Sequence, residues 1–237
     1  MGKPRVAEEI VQQLRGLILR GEYAVGDKLP PERKLAEELG VNRASLREAI
    51  KSLEHMGLVK TRQGDGTRVL DFMQTAGVEL ISHLIPQSGA GAEGMPNMPV
   101  LVDVLEFRRW FGRESARLAA ERATEADVKA IESLIDKAAD PEIDPGELLK
   151  LDFELYVALT NAAKNAVMRL LINTMRPAVM NYAGFFAAFN ASPQAVRKHH
   201  RDLLKAIVGK DGDAAAKAAD GYLKKAIELV AAARAAT

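Results

Sequence analysis

The 237 residues include no cysteine. That excludes disulfides and every thiolate metal or redox site, and it fits a reducing compartment. No apolar run approaches the ~18 residues a membrane span needs. The opening residues MGKPRVAEEIVQQL lack the apolar stretch of a signal peptide and pass straight into an amphipathic pattern, so a cytoplasmic protein is expected. Enzyme signatures are scarce too: the chain carries neither a G-x-S-x-G elbow nor a P-loop. Strand signals vanish after Asp71, and no repeat period emerges.

What is present is ordinary for a globular chain, 48% hydrophobic and 27% charged, which is enough to bury a core. The net charge of +1 hides an asymmetry. Residues 1–70 hold 13 Lys/Arg against 10 Asp/Glu, and the remainder 20 against 22. The excess at the N-terminal end is a weak pointer to nucleic acid.

The apolar positions Val6, Ile10, Leu14, Leu17 and Ile18 share one helical face, and Gly21 follows as a stop. A second helix is expected from Pro31, at its first position, to Gly40. Asn42 can cap a third, RASLREAIKSLEHMG, closed by Gly57. The run LVKTRQGDGTRVL reads as a hairpin around Gly64-Asp65-Gly66. Beyond it, DFMQTAGVELISHLI reads as one helix and PQSGAGAEGMPNMP as a loop. Helices are then expected at about 100–121, 124–138, 145–163, 166–188, 193–209 and 212–235. The fold class is mainly α: a winged helix-turn-helix over 1–71, joined to an all-α antiparallel bundle over 72–237.

Three helices and a hairpin with the turn ELGVNRAS between helices two and three describe a DNA-binding unit. Recognition helices use their N-terminal residues. Arg43 and Arg47 share one face and suit guanine edges; Ser45 beside them suits a phosphate oxygen. Leu46, Ile50 and Leu53 form the opposite, apolar face, expected against helix two. Gly64 and Gly66 let the wing backbone approach DNA, while Gln63 and Thr67 can hydrogen-bond in or beside the minor groove. Any one of these arginines is more simply a solvated side chain; the ordered set is what points to DNA.

Residues 5–70 resemble, without gaps, the DNA-binding domain of the GntR family of bacterial transcription regulators. The resemblance implies DNA contacts at Arg33, Arg43, Ser45, Arg47 and Gln63 to Thr67, and a homodimer on a palindromic operator. The segments VLEFRRWFGRESARLAAERATEADV and KLDFELYVALTNAAKN resemble the helical sensor domain of the FadR subfamily. Many of its members hold a metal through an aspartate and three histidines, and with it a carboxylate effector. The aspartate falls on Asp152, a buried-face carboxylate that needs a partner, and one histidine on His200. The other two positions are Tyr156 and Tyr222. Neutral phenols are poor ligands for a divalent ion but good donors to a carboxylate. A polar network without metal is therefore expected, with Asp152 accepting from Tyr156, Tyr222 or His200. Zn or Ni on Asp152 and His200 is the alternative.

His199, one residue over, is expected at the surface. The resemblance places a pocket-facing arginine at Arg108, with Arg109 as the fallback register. Gly112 stands where a glutamate is usual, which implies an enlarged or reshaped cavity. The effector is expected to be a small anionic metabolite, either an acyl-CoA or fatty acid or a small carboxylate. Met175, Met180, Tyr182, Phe185, Phe186 and Phe189 form a stripe that suits a core or dimer interface, or else an apolar pocket. Two other readings compete with a ligand-responsive regulator: a helical enzyme domain with a DNA-binding head, and a ligand-free architectural binder.

Overall fold

The structure is a computed structural model, and it describes residues 3–84, 98–181 and 193–235. It divides into two compact units, Met1–Leu80 and Ile81–Thr237.

In the first unit, α1 (Lys3–Leu19) buries Ile10, Val11, Leu14 and Ile18. Helix α2 (Glu32–Glu38) starts one residue later than expected, with Pro31 as its N-cap. Helix α3 (Arg43–His55) is capped by Asn42, whose side chain accepts from the Ser45 N–H at 2.8 Å. Its apolar face, Leu46, Ala49, Ile50 and Leu53, packs mainly on α1 rather than on α2 as expected. The seven residues of α2 offer too little apolar surface; only Leu35 and Ala36 are buried there.

The wing follows the hairpin signal. Strands β1 (Val59–Arg62) and β2 (Gly66–Val69) pair antiparallel from Val59↔Val69 to Arg62↔Gly66. Gly64 and Gly66 take φ of +81° and +93° in the turn, a region other residues adopt only at a cost. The other edge of β2 is covered by residues 27–29: Leu29 N–H donates to the Thr67 carbonyl and Val69 N–H to that of Asp27, both at 2.9 Å.

The single helix expected after Asp71 is broken into α4 (Phe72–Thr75), a 3-10 turn (Val78–Leu80) and α5 (Ile81–Leu84). Ala76 is extended, with ψ of 158°. The Thr75 hydroxyl donates to the Gly57 carbonyl at 2.7 Å, fixing α4 to the end of α3. A Cβ on Gly57 would lie 2.4 Å from the Thr75 oxygen, so this approach requires glycine. Residues 72–80 therefore belong with the first unit, nine residues beyond the expected boundary.

The second unit is helical. It comprises α6 (Met98–Arg122), α7 (Glu125–Ala138), α8 (Pro145–Ala162), α9 (Ala166–Asn181), α10 (Pro193–Val208) and α11 (Gly212–Ala235). The longest contact is α11 along α6, where Ala116, Ala119, Ala215 and Ala219 are wholly buried and let the backbones approach. Two starts are strongly specified. Thr124 and Asp127 form a capping box on α7, and Asp144 caps α8 with Pro145 next. Met180 packs on the main core and Met175 beside Val104. Tyr182, Phe185, Phe186 and Phe189, and the expected end of α9, lie outside the described residues. No helix among the described residues is long and apolar enough to cross a membrane.

Candidate functional site

On the first unit, Arg43 and Arg47 are exposed on one face of α3, as their spacing requires. Arg47 Nε donates to Glu32 Oε2 at 2.7 Å, so the start of α2 steadies it. Arg33 is exposed on α2, 3.3 Å from Glu37. Gln63, Gly64 and Gly66 are exposed at the wing tip.

Two expected contacts are corrected. Ser45 is only 5% exposed, and its hydroxyl accepts from the Asn42 amide at 3.0 Å, so it serves the helix cap. Thr67 is buried, its hydroxyl 3.0 Å from that of Thr61, because alternate residues of β2 face inward. Sequence reasoning missed the wing's charge cluster. Asp65 is bracketed by Lys28 and Arg68, with Arg68 Nε at 2.8 Å, and hydrogen bonds from Arg68 and then Lys28 hold its carboxyl well below the usual range.

In the second unit, α6, α8, α10 and α11 bring Arg108, Asp152, Tyr156, His199, His200 and Tyr222 together. Asp152 is wholly buried, yet both its oxygens are used. Arg108 Nη2 donates to Oδ2 at 2.7 Å, and His200 Nε2 lies 3.3 Å from Oδ1. Burial alone would raise this carboxyl; the hydrogen bond with His200 and the Arg108 charge outweigh it and hold it below its ordinary value. The inward register is that of Arg108. Arg109 instead makes a two-pronged pair with Asp220, both bonds at 2.8 Å.

Of the two phenols expected on Asp152, Tyr222 keeps a hydrogen bond with it and Tyr156 does not. Tyr156 Oη lies 3.2 Å from His199 Nε2, and Tyr222 stacks on the His199 ring with centroids 4.1 Å apart and planes 5° from parallel. His199 is thus 6% exposed and central to the cluster rather than at the surface. Burial lowers it to about 4, so it is neutral at pH 7. Burial, and then the Asp152 charge, push both phenols upward, so each keeps its proton. The imidazole tautomer sets which of Tyr156 Oη and His199 Nε2 donates across that contact.

Gly112 does not widen the cavity. A Cβ there would meet Leu223 Cδ1 at 2.7 Å and Tyr156 Cε1 at 2.8 Å, so the missing side chain makes room for the tyrosine ring. What remains is a slot of about 40 Å³ between Arg108 and an apolar wall of Val104, Phe107, Phe153, Ile172 and Met175.

A divalent metal does not fit this donor set. Both Asp152 oxygens are engaged, the neighbouring cation is a guanidinium, and two of the four implied positions are phenols that hold their protons. Among the described residues no group of three or more His, Cys, Asp or Glu could hold an ion.

Residues 6–69 match the bacterial regulatory proteins of the gntR family, and residues 103–225 match the FCD domain. The chain belongs to the GntR family. It is 35% identical over 224 residues to the transcriptional regulator Mce2R of Mycobacterium tuberculosis, covering 93% of this chain and 90% of that one. It is 31% identical to the regulator LutR of Bacillus subtilis, over 83% and 88% of the two chains. The Glc operon transcriptional activator of Escherichia coli is 26% identical over 92% and 86%. The fold is shared with Lar, which controls the agr system of Listeria monocytogenes, at a TM-score of 0.61 and 16% identity over 95% and 96% of the two chains. This GntR-family chain is a DNA-binding transcription regulator with a helical FCD domain of the effector-binding kind, and not an enzyme.

Proposed function

We propose that this regulator binds a palindromic operator as a homodimer and that a small organic acid held at Arg108 changes its operator affinity. Arg43 and Arg47 supply base-edge and phosphate contacts from α3, Arg33 adds a phosphate contact from α2, and the wing backbone at Gly64 and Gly66 approaches with Gln63. One observation carries the effector reading. A guanidinium only 23% exposed spends one donor on Asp152 while facing an apolar slot. Arginine has five N–H donors in a fork that matches a carboxylate. The slot beside it accepts a short aliphatic group, which favours a small carboxylate over a long acyl chain. Ligand binding shifts operator affinity only as far as the acid binds the two states of the dimer differently. Within this reading the cation that meets the acid is Arg108 itself, and EDTA leaves the response unchanged.

The test pairs a thermal-shift screen of short organic acids, with and without EDTA, with operator binding by fluorescence anisotropy. Acids that raise the melting temperature should alter operator affinity about 5- to 150-fold. Arg108→Gln should lose that response, and Arg108→Lys, which keeps the charge but not the fork, should weaken it. Unchanged operator binding in the presence of every stabilising acid would sink the proposal, as would a wild-type response from both variants.

A further inference from the structure

Helix α6 packs on α11 and α8, but one stripe of its surface stays open. Asp103, Glu106, Trp110, Arg113 and Arg117 recur at offsets of three, seven, ten and fourteen, which places them within about 80° of one another. The first four are exposed and Arg117 is partly so. Trp110, the sole tryptophan, is 63% exposed and leans on Phe107, with ring centroids 5.9 Å apart. A tryptophan left this open is a large apolar surface whose burial is favourable, and aromatics of this kind anchor interfaces.

The charges around it are ordered and short of partners. Asp103, Glu106 and Arg113 form no ion pair among the described residues. Arg113 lies near Glu114 and Asp220, but Arg117 holds the first and Arg109 the second. Glu106 feels Arg109, which Asp220 already engages. The stripe is thus acidic before Trp110 and basic after it. Asp103 and Arg117 each lie ~10.5 Å from Trp110 along the axis, and Glu106 and Arg113 lie ~6 Å and ~4.5 Å from it.

We propose that this stripe is an interface with a second copy of the chain, the two α6 helices crossing antiparallel about a two-fold axis at Trp110. The two-fold sets Trp110 against the partner's Trp110. It brings Glu106 toward the partner's Arg113, and Asp103 toward the partner's Arg117, on both sides of the axis. A two-fold interface must be complementary to itself, and an acid–tryptophan–base order meets that condition. A parallel copy would instead oppose like charges. The inference builds on the homodimer of the proposed function and gives it a location. Phe107 also lines the slot beside Arg108, so the interface backs directly onto the proposed effector site.

The experiment uses the full chain without DNA, in analytical ultracentrifugation over a concentration series. The wild type should dimerise, and Trp110→Ala should weaken dimerisation at least about tenfold. Glu106→Arg and Arg113→Glu should each weaken it while keeping the wild-type helical content by circular dichroism. The Glu106→Arg/Arg113→Glu variant swaps the charges in both copies at once and should restore dimerisation, which no defect of the single variants could do. Acrylamide should quench Trp110 poorly in the wild-type dimer and readily in the Glu106→Arg monomer. A dimer unaffected by all three single changes, a double variant no better than the singles, or a freely quenched Trp110 in the wild-type dimer overturns this location and leaves the homodimer standing. A wild type that stays monomeric removes the homodimer itself, and this interface with it.

Discussion

Removing Arg108 should cost more than removing both Arg108 and Asp152. Asp152 is wholly buried and Arg108 is 23% exposed, with 2.7 Å between Nη2 and Oδ2. Breaking a buried pair by deleting one partner costs about 3–5 kcal/mol, because the remaining charge is left without compensation. Arg108→Met should fall in that range, since Asp152 loses its guanidinium and keeps only His200 and the Tyr222 hydroxyl. Asp152→Leu should fall at or below its lower end, because the partly exposed guanidinium can turn toward solvent. In the double variant no charge is stranded, and replacement of such pairs by apolar groups is often close to neutral. The double variant should thus lose less than about 2 kcal/mol, with a coupling energy of at least about 3 kcal/mol. Urea unfolding followed by Trp110, the sole tryptophan, reports the helical unit directly. Because the Asp152 carboxyl is held below its ordinary value, its contribution is complete above the unfolded value of ~3.9 and is lost only as pH falls through the lower folded value. Cycles at pH 7 and pH 5 should agree. Additive single losses, within the ~0.5 kcal/mol expected of independent sites, would refute the reasoning.

Three further outcomes are expected. His199 falls from 6.5 to about 4 on folding, so stability is full above pH 6.5 and is lost as pH drops from 6.5 toward 4. At 1.36 kcal/mol per tenfold change in protonation, the loss is roughly 3 kcal/mol, and His199→Gln should flatten that part of a pH–stability curve. Gly112→Ala should destabilise the helical unit by about 1–3 kcal/mol through overpacking against Tyr156 and Leu223; an unchanged melting temperature would contradict the packing described. Arg43→Ala should weaken operator binding by about 1–3 kcal/mol and relax base preference at one position of each half-site. A uniform loss across sequences would reassign Arg43 to a phosphate.

Most of the fold was legible because its signals are local. Asn42, Thr124 and Asp144 are caps whose chemistry acts within three residues, and Gly64-Asp65-Gly66 specifies its own turn. The errors came where a distant residue decides. Thr75 breaks the helix after Asp71 by bonding Gly57, eighteen residues earlier, and no periodicity records that. Ser45 and Thr67 carry the polarity of contact residues but are consumed by Asn42 and Thr61. His199 and His200 are neighbours about 100° apart on one helix, and helical phase on Leu203 and Ile207 favours only the second. Both are buried because Tyr156 and Tyr222 close on His199 from two other helices. Gly112 suggested space; the space was already filled by a ring from α8.

A metal centre is filled to the extent that its ion is available, and it can be emptied by starvation or competition. The positive charge that neutralises Asp152 is delivered by α6 as part of the chain, one per molecule, at synthesis. Its occupancy has no dissociation constant and no dependence on what the surrounding medium supplies. What it gives up is interchangeability, since a guanidinium cannot be swapped for another ion to retune the site. Any retuning must come through mutation.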